Sequence, residues 1–390
     1  MDNKLFETVN GEDLEFSPAL QKAYVDFINE AFGFNESGED FKKLLPKLFG
    51  KTRSTCRTAT FAFEKSTGMI AACAGRFPVK FSISGKEFKA FGIGNVCCRK
   101  DLREQGLMSA VMKEAVEKMI KDGAALSFLG GMRQRYNHFG FETCGTGSSF
   151  HVLSKTLKNL TLGAKGDSGI LPVTGADIKA LEFISGNAPT LCFAERKKDD
   201  LYDILTSWHA KPFVFTKAGK YAGWALVQGA GLVTEISCGF KEDLYDFAGL
   251  LSENFGDLDF IIPEFSTELF EYLWPLADSV QKAEECCFNV FDYENVIRAL
   301  LELRSTYKNI ADGTLKVRIN GIAGTEVLKL EVKEGAVSVS KTREEPDMVL
   351  DHIDAMDFFF AELAPVRRKL PANIASWLPL PLYIRHADNV

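Results

Sequence analysis

The chain has 390 residues, 46% hydrophobic and 25% charged, with a formal net charge of -7. That length predicts two or three domains, and the composition is that of an ordinary globular protein. The acidic balance argues against nucleic acid, whose phosphates need a basic surface, and suits a cationic partner.

Leu20, Tyr24, Phe27 and Ala31 recur at helical spacing, which predicts a helix over 18–34. Residues 56–63 and 69–79 read as strands joined by the turn Lys65-Ser66-Thr67-Gly68. A second hairpin is expected from 79–83 and 87–91, followed by a short strand from Ile93 to Cys98. Leu107, Val111, Ala115 and Met119 then predict a helix ending near Asp122-Gly123, and Leu126–Leu129 a buried strand. The polar, glycine-containing stretch 154–169 breaks the pattern and suggests a boundary. Beyond it the order repeats: a hairpin over 213–217 and 222–227, a strand at 233–238, a helix at 244–251 and a strand at 260–263. From about 288 the pattern changes to a helix at 296–303, a meander over LKVRING, EVLKLEVKEG and AVSVSKT, a helix at 356–363 and a proline-rich end. The boundaries expected are 1–153, 154–286 and 287–390.

The segment richest in chemical signal is Val96-Cys97-Cys98-Arg99-Lys100-Asp101-Leu102-Arg103-Glu104-Gln105-Gly106-Leu107-Met108. A strand runs into Arg103-x-x-Gly106, which opens a helix. Free N–H groups and the positive dipole end make such a terminus a seat for anions. Gly106 permits close backbone approach, and Arg103 can add a charged bond. Taken alone, the segment fits an ordinary strand-to-helix turn equally well. Downstream stands Arg135-Tyr136-Asn137-His138-Phe139-Gly140-Phe141.

Nine cysteines form no C-x-x-C pair and read as reduced thiols; Cys97 and Cys98, in a strand, read as structural rather than nucleophilic. The five histidines show no zinc-binding spacing, and no G-x-S-x-G elbow occurs. The acidic start lacks the apolar core of a signal peptide, and no apolar run of about 18 residues exists, so a cytoplasmic protein without a membrane span is expected.

The R-x-x-G-x segment and the Y-x-x-F-G-F segment, in this order and spacing, resemble the GNAT acetyltransferases. Met108 stands where the usual signature has Gly or Ala. The three-part organisation is similar to the enhanced-intracellular-survival (Eis) branch: a catalytic GNAT domain, a second degenerate GNAT-like domain without the R-x-x-G-x loop, and a C-terminal domain resembling sterol carrier proteins. The implied fold is mixed α+β and α/β, with two tandem GNAT-like units.

The resemblance implies acetyl-CoA as co-substrate, no metal, a primary amine of a small polycation (aminoglycoside-like) or of a protein lysine as acceptor, and a homo-oligomer, possibly a hexamer by the family's habit. Val96, Cys97 and Cys98 would hold the pantetheine arm and carbonyl, and Arg103, Glu104, Gln105, Gly106, Leu107 and Met108 the pyrophosphate. Tyr136 would be the general acid. A phenol of pKa about 10 can protonate a thiolate whose thiol has a pKa of about 8.5. The carboxylate of Val390 would reach the site as base, although an unperturbed α-carboxyl titrates near about 3.5. Well-known members end in an aromatic residue where this chain has Val390. His386 and Asp388 read as surface residues of the tail. The competing reading is a non-catalytic protein that binds acyl-CoA or a hydrophobic ligand, since fold alone does not establish function.

Overall fold

The computed structural model describes residues 5–50, 53–145, 147–161, 167–283 and 286–390. The glycine-containing part of the expected boundary loop, 162–166, lies outside the described residues.

Strand β1 (Phe6–Asn10) precedes helix α1 (Pro18–Ala31). Ser17 caps α1 by accepting from Leu20 N–H at 3.0 Å, and the helix buries Tyr24, Val25 and Ile28. Strands β2 (Ala59–Glu64), β3 (Ile70–Ile83) and β4 (Lys86–Cys98) follow. What reads in sequence as two hairpins and a separate strand is one long antiparallel ribbon of β3 and β4, in register from Gly75–Gly94 to Ile83–Lys86. Pro78 lies within β3 paired with Phe91, where a strand break is the usual expectation.

Helix α2 (Leu107–Lys121) leads to β5 (Leu126–Leu129), β6 (Glu142–Cys144) and β7 (Gly147–Val152). The buried face of α2 is Leu107, Val111, Met112, Ala115, Val116 and Met119, the i, i+4 set that the sequence spacing predicts. The next strands are β8 (Ser168–Pro172), β9 (Cys192–Ala194), β10 (Lys211–Lys217), β11 (Lys220–Gln228) and β12 (Leu232–Cys238). Helix α3 (Lys241–Phe255) and strands β13 (Leu258–Pro263), β14 (Ser279–Ala283) and β15 (Cys286–Val290) follow. The C-terminal part holds α4 (Tyr293–Ser305), β16 (Gly313–Gly321), β17 (Gly324–Lys333), β18 (Ala336–Lys341), β19 (Met348–Asp351) and α5 (His352–Phe360).

Three sheets result. The first runs β1-β2-β3-β4-β5-β15-β6, with β9 attached to β3; the second runs β14-β7-β13-β12-β11-β10-β8; the third runs β18-β17-β16-β19. Strands cross between the first two sheets, β9 among them: it lies between β8 and β10 in the chain yet pairs with β3. Strand β7 follows β6 directly in the chain yet pairs with β13 and β14 in the second sheet. Strand β15 returns to sit between β5 and β6 in the first. The five residues of β15 are all buried, so both faces of that strand are covered.

Each of the first two sheets contains one parallel step. Strands β4 and β5 are bonded only over Ala90–Gly92 and Leu126–Phe128, and β12 and β13 only at Leu232–Asp259 and Val233–Phe260. Beyond these points the strands diverge and leave a wedge in each sheet.

Phe288, at the centre of β15, is fully buried against the first core. Phe288→Ala is expected to lower unfolding free energy by about 3–5 kcal/mol, read from urea unfolding; a loss below about 1 kcal/mol would mean that β15 is not an integral strand of that sheet.

Candidate functional site

The site forms where β4 outlasts β5. A bulge at Asn95, with a left-handed φ of 55°, shifts the register of β4 against β3 between Cys73 and Gly75. The side-chain amide of Asn95 is buried with neither its oxygen nor its nitrogen bonded. After Cys98 the chain passes a single turn at Lys100–Leu102 and enters α2 through Gly106, whose φ is 76°. No protein atom lies within 4 Å of the place a Cβ would take at Gly106, so the helix entrance is open.

A cavity of about 520 Å³ occupies this corner. Of the residues assigned to the cofactor from sequence, Val96, Cys97, Cys98, Arg103, Glu104, Gly106, Leu107 and Met108 line it. Gln105 is exposed and does not. Arg135 also lines it, a second cation that sequence reasoning quoted beside Tyr136 but gave no role. Open helix N–H groups, two guanidinium groups and an orphan amide in the adjoining strand are a donor set suited to a pyrophosphate and an amide-bearing arm. Cys98 has its thiol pKa raised by burial, and the Cys73 and Cys97 thiols hydrogen-bond at 3.6 Å with no disulfide between them. Burial raises the Cys73 thiol pKa as well, which disfavours its thiolate.

Tyr136 ends the short helix Arg133–Tyr136 and is buried. A Cβ at Gly131 would stand 2.4 Å from its ring, so only glycine allows the ring this place. The turn beyond it is tied down on both sides. Glu142, almost wholly buried, receives Arg133 and accepts from the Asn137 amide at 2.7 Å. Asn289 of β15 donates to Phe139 O at 3.0 Å, and His352 of α5 bridges Gly140 O and Asn289 Oδ1, each at 3.0 Å. Burial raises the Tyr136 pKa, with Arg135 acting in the opposite sense. The phenol is therefore neutral across the physiological range and remains a proton donor.

The end of the chain arrives from the other side. Val390 is buried, and its Cγ2 lies 2.3 Å from where a Cβ would stand at Gly92. Its carboxyl carbon lies 3.3 Å from the corresponding point at Gly94. Asn389 approaches Gly130, its amide 3.7 Å from a Cβ position there. Gly92, Gly94, Gly130 and Gly131 thus make the room in which tail and tyrosine meet the ends of β4 and β5; none of the four was singled out from sequence.

The tail is anchored by buried charge. Arg196 sits between Glu235 (2.5 Å) and Asp388 (2.8 Å). Burial works against its charge, yet Asp388 and Glu235 together hold its pKa above the ordinary value. Asp388, expected at the surface, is buried, because Arg196 supplies the counter-charge its carboxylate needs. Lys47 donates to Ala387 O at 2.6 Å and Asn389 O at 2.5 Å, and Trp208 Nε1 to Asn389 O at 3.1 Å. Upstream, Arg304 of α4 donates to the carbonyls of Ser376, Pro379 and Leu378 at 3.2, 2.9 and 3.1 Å. These partners lie far from the tail in sequence, with no local signature.

Among the described residues no group of three potential metal-binding side chains exists, and no helix is long and apolar enough to cross a membrane.

Burial pulls the Lys47 pKa down to about 7, against about 10.4 in an unfolded chain. Between those values the unfolded state binds the extra proton, so this group's contribution to stability rises with pH. The unfolding free energy of the natural protein minus that of Lys47→Met is expected to be flat below about pH 6 and to rise toward about pH 10. Urea unfolding across that range checks it; a difference independent of pH would mean that Lys47 titrates as a solvated lysine.

Compared with known proteins, residues 18–144 match the family model of an acetyltransferase (GNAT) domain. No curated protein matches in sequence. Three solved structures share the fold over nearly the whole chain. Eis1 from Mycobacterium abscessus is 13% identical with a TM-score of 0.66, over 99% of this chain and 100% of that one. A GCN5-related N-acetyltransferase from Anabaena variabilis is 11% identical with a TM-score of 0.67, over 99% and 100%. A protein from Enterococcus faecalis described as a probable N-acyltransferase is 16% identical with a TM-score of 0.63, over 90% and 88%. The fold is thus mixed α+β with GNAT-like neighbours along its length, consistent with two tandem GNAT-like units. The domain match supports an acetyl-CoA-dependent N-acetyltransferase.

Proposed function

We propose that the chain transfers the acetyl group of acetyl-CoA directly to a primary amine, within a complex that holds both substrates. The acceptor is the amine of a small polycation, aminoglycoside-like, or of a protein lysine. The observation that carries this reading is the cavity at the entrance of α2, which gathers eight of the nine residues assigned to the cofactor.

In this reading backbone groups of Val96 to Cys98, freed where β4 leaves β5, hold the pantetheine arm and polarise the thioester carbonyl. Arg103, Arg135 and the open N–H groups at Gly106 hold the pyrophosphate. The incoming amine loses a proton toward the Val390 carboxylate as its nitrogen bonds to the acetyl carbon. The C–S bond breaks, and Tyr136 gives its proton to the departing sulfur. Burial suits Tyr136 to this task, because it keeps the phenol protonated.

The C-terminal part belongs to the proposal as a sterol-carrier-like domain that delivers the tail to the site, in a homo-oligomer. The space bounded by Leu301, Leu315, Leu330, Phe358, Phe359 and Trp377 is too small for a water molecule, which favours delivery of the tail over binding of a lipid in its core.

Thiol release from acetyl-CoA, measured against aminoglycosides, polyamines and lysine-rich peptides, tests the reading; no release with any of the three would overturn it. Tyr136→Phe is expected to lower kcat by about a hundredfold while acetyl-CoA binding is retained. Unchanged kcat would remove Tyr136 from the role of acid. A peptide appended after Val390 is expected to impair turnover to a similar extent, and full activity with such an extension would exclude the terminal carboxylate as base.

A further inference from the structure

The second sheet repeats the wedge of the first without its loop. Past Val233, β12 follows β11 as far as Gly223–Cys238, and past Phe260, β13 follows β7 to Pro263. The opening between them holds a cavity of about 430 Å³ whose walls include Trp224, Ile236, Ser237, Ile262 and Phe265. Strand β12 reaches α3 through Gly239 and Phe240 alone, where β4 uses the longer stretch Arg99–Gly106 to reach α2. With no R-x-x-G loop, this wedge has no seat for a pyrophosphate.

It holds instead a residue of the tail. Arg385 lines the cavity and is only 8% exposed. Its Nε is buried without a hydrogen-bond partner, and no carboxylate among the described residues is paired with its guanidinium. A buried guanidinium with unmade bonds is costly unless an acceptor arrives.

The other polar groups of the lining do not supply one. Glu235 is taken by two nitrogens of Arg196, at 2.5 and 3.0 Å. Trp224 donates to Asn187 O at 3.1 Å. The Cys238 thiol, its pKa pushed up to about 12 by burial, carries no negative charge. Glu268 stands exposed at the rim. A single cation, two carboxylates in the same lining, and walls in which Ile236, Ile262 and Phe265 stand among polar groups suit a monoanion with a short hydrocarbon body better than a phosphate dianion.

We infer that the wedge between β12 and β13 is a binding site for a small organic carboxylate, with the carboxylate on Arg385 and the apolar body among Ile236, Ile262 and Phe265. The site is separate from the acetyl-CoA cavity.

Calorimetric titration of the full chain with phenylacetate, hexanoate, the neutral analogue phenylacetamide and inorganic phosphate tests this. Both carboxylates are expected to bind, and phenylacetamide to bind at least about tenfold more weakly. Arg385→Gln is expected to weaken both carboxylates by about tenfold or more. Leu269→Trp, which fills the cavity from its half-buried wall and leaves Arg385 in place, is expected to abolish binding in a chain with unchanged circular dichroism. No binding of either carboxylate would overturn the inference. So would carboxylate binding that survives both substitutions, or phosphate binding tighter than both carboxylates.

Discussion

Arg196 is buried between a carboxylate of the second sheet, Glu235, and a carboxylate of the tail, Asp388. Removing one member of such a group leaves an uncompensated charge in the interior, at a cost of about 3–5 kcal/mol, so the arrangement holds only when all three are in place. Much of the site's geometry depends on it. With Asp388 fixed, the carbonyls of Ala387 and Asn389 meet Lys47, and Val390 comes to rest over Gly92 and Gly94. The apolar segment before it, Leu380 to Ile384, is buried, and Arg304 straps the residues that lead into it through the carbonyls of Leu378 and Pro379. A chain end, ordinarily the least ordered part of a protein, is here held by ionic and hydrogen bonds to three separate parts of the fold.

The opposite wall of the site is held differently. Tyr136 packs in one core cluster with the buried face of α2, and the turn that follows it is secured by hydrogen bonds to Glu142, Asn289 and His352. Burial lowers the His352 pKa to about 4, so this network is built on a neutral imidazole and does not change charge near pH 7. The two walls therefore respond to different variables: the tail to ion pairing, the tyrosine turn to the packing of β15 and α5.

The amphipathic helices were legible in the sequence because their apolar spacing is local: α2 buries all four residues its periodicity marks, whereas α1 buries Tyr24 together with Val25 and Ile28 and leaves Leu20, Phe27 and Ala31 half-buried. The R-x-x-G segment was legible for the same reason, and eight of its nine assigned residues share one cavity. Strand β15 was not, since Cys286 to Val290 is buried on both faces and shows none of the alternation that marks a half-exposed strand. The length of β3 and β4 was obscured by Pro78 and by Gly92 and Gly94, which usually signal interruption and here serve a continuous ribbon. Asp388 was illegible because burial of its charge depends on Arg196, a partner that only the tertiary fold brings near. Three strands pair away from their neighbours in the chain, β7 in the second sheet and β9 and β15 in the first, a crossing that no local signal announces.

That crossing makes the first two sheets interdependent during assembly. The first sheet cannot close between β5 and β6 until the chain has passed through the second and come back, and the second needs β7, which the chain supplies early. The ladder between Leu129 and Cys287 closes a loop that contains every strand of the second sheet and none of the first sheet's strands β1–β5, so its formation carries a large loop-closure entropy and a high contact order. No single cut of the backbone separates the first sheet from the second with each keeping all its strands. The molecule should therefore lose its first two layers as one cooperative event, and a ribosome-bound chain has no complete catalytic sheet until residues beyond Val290 have emerged.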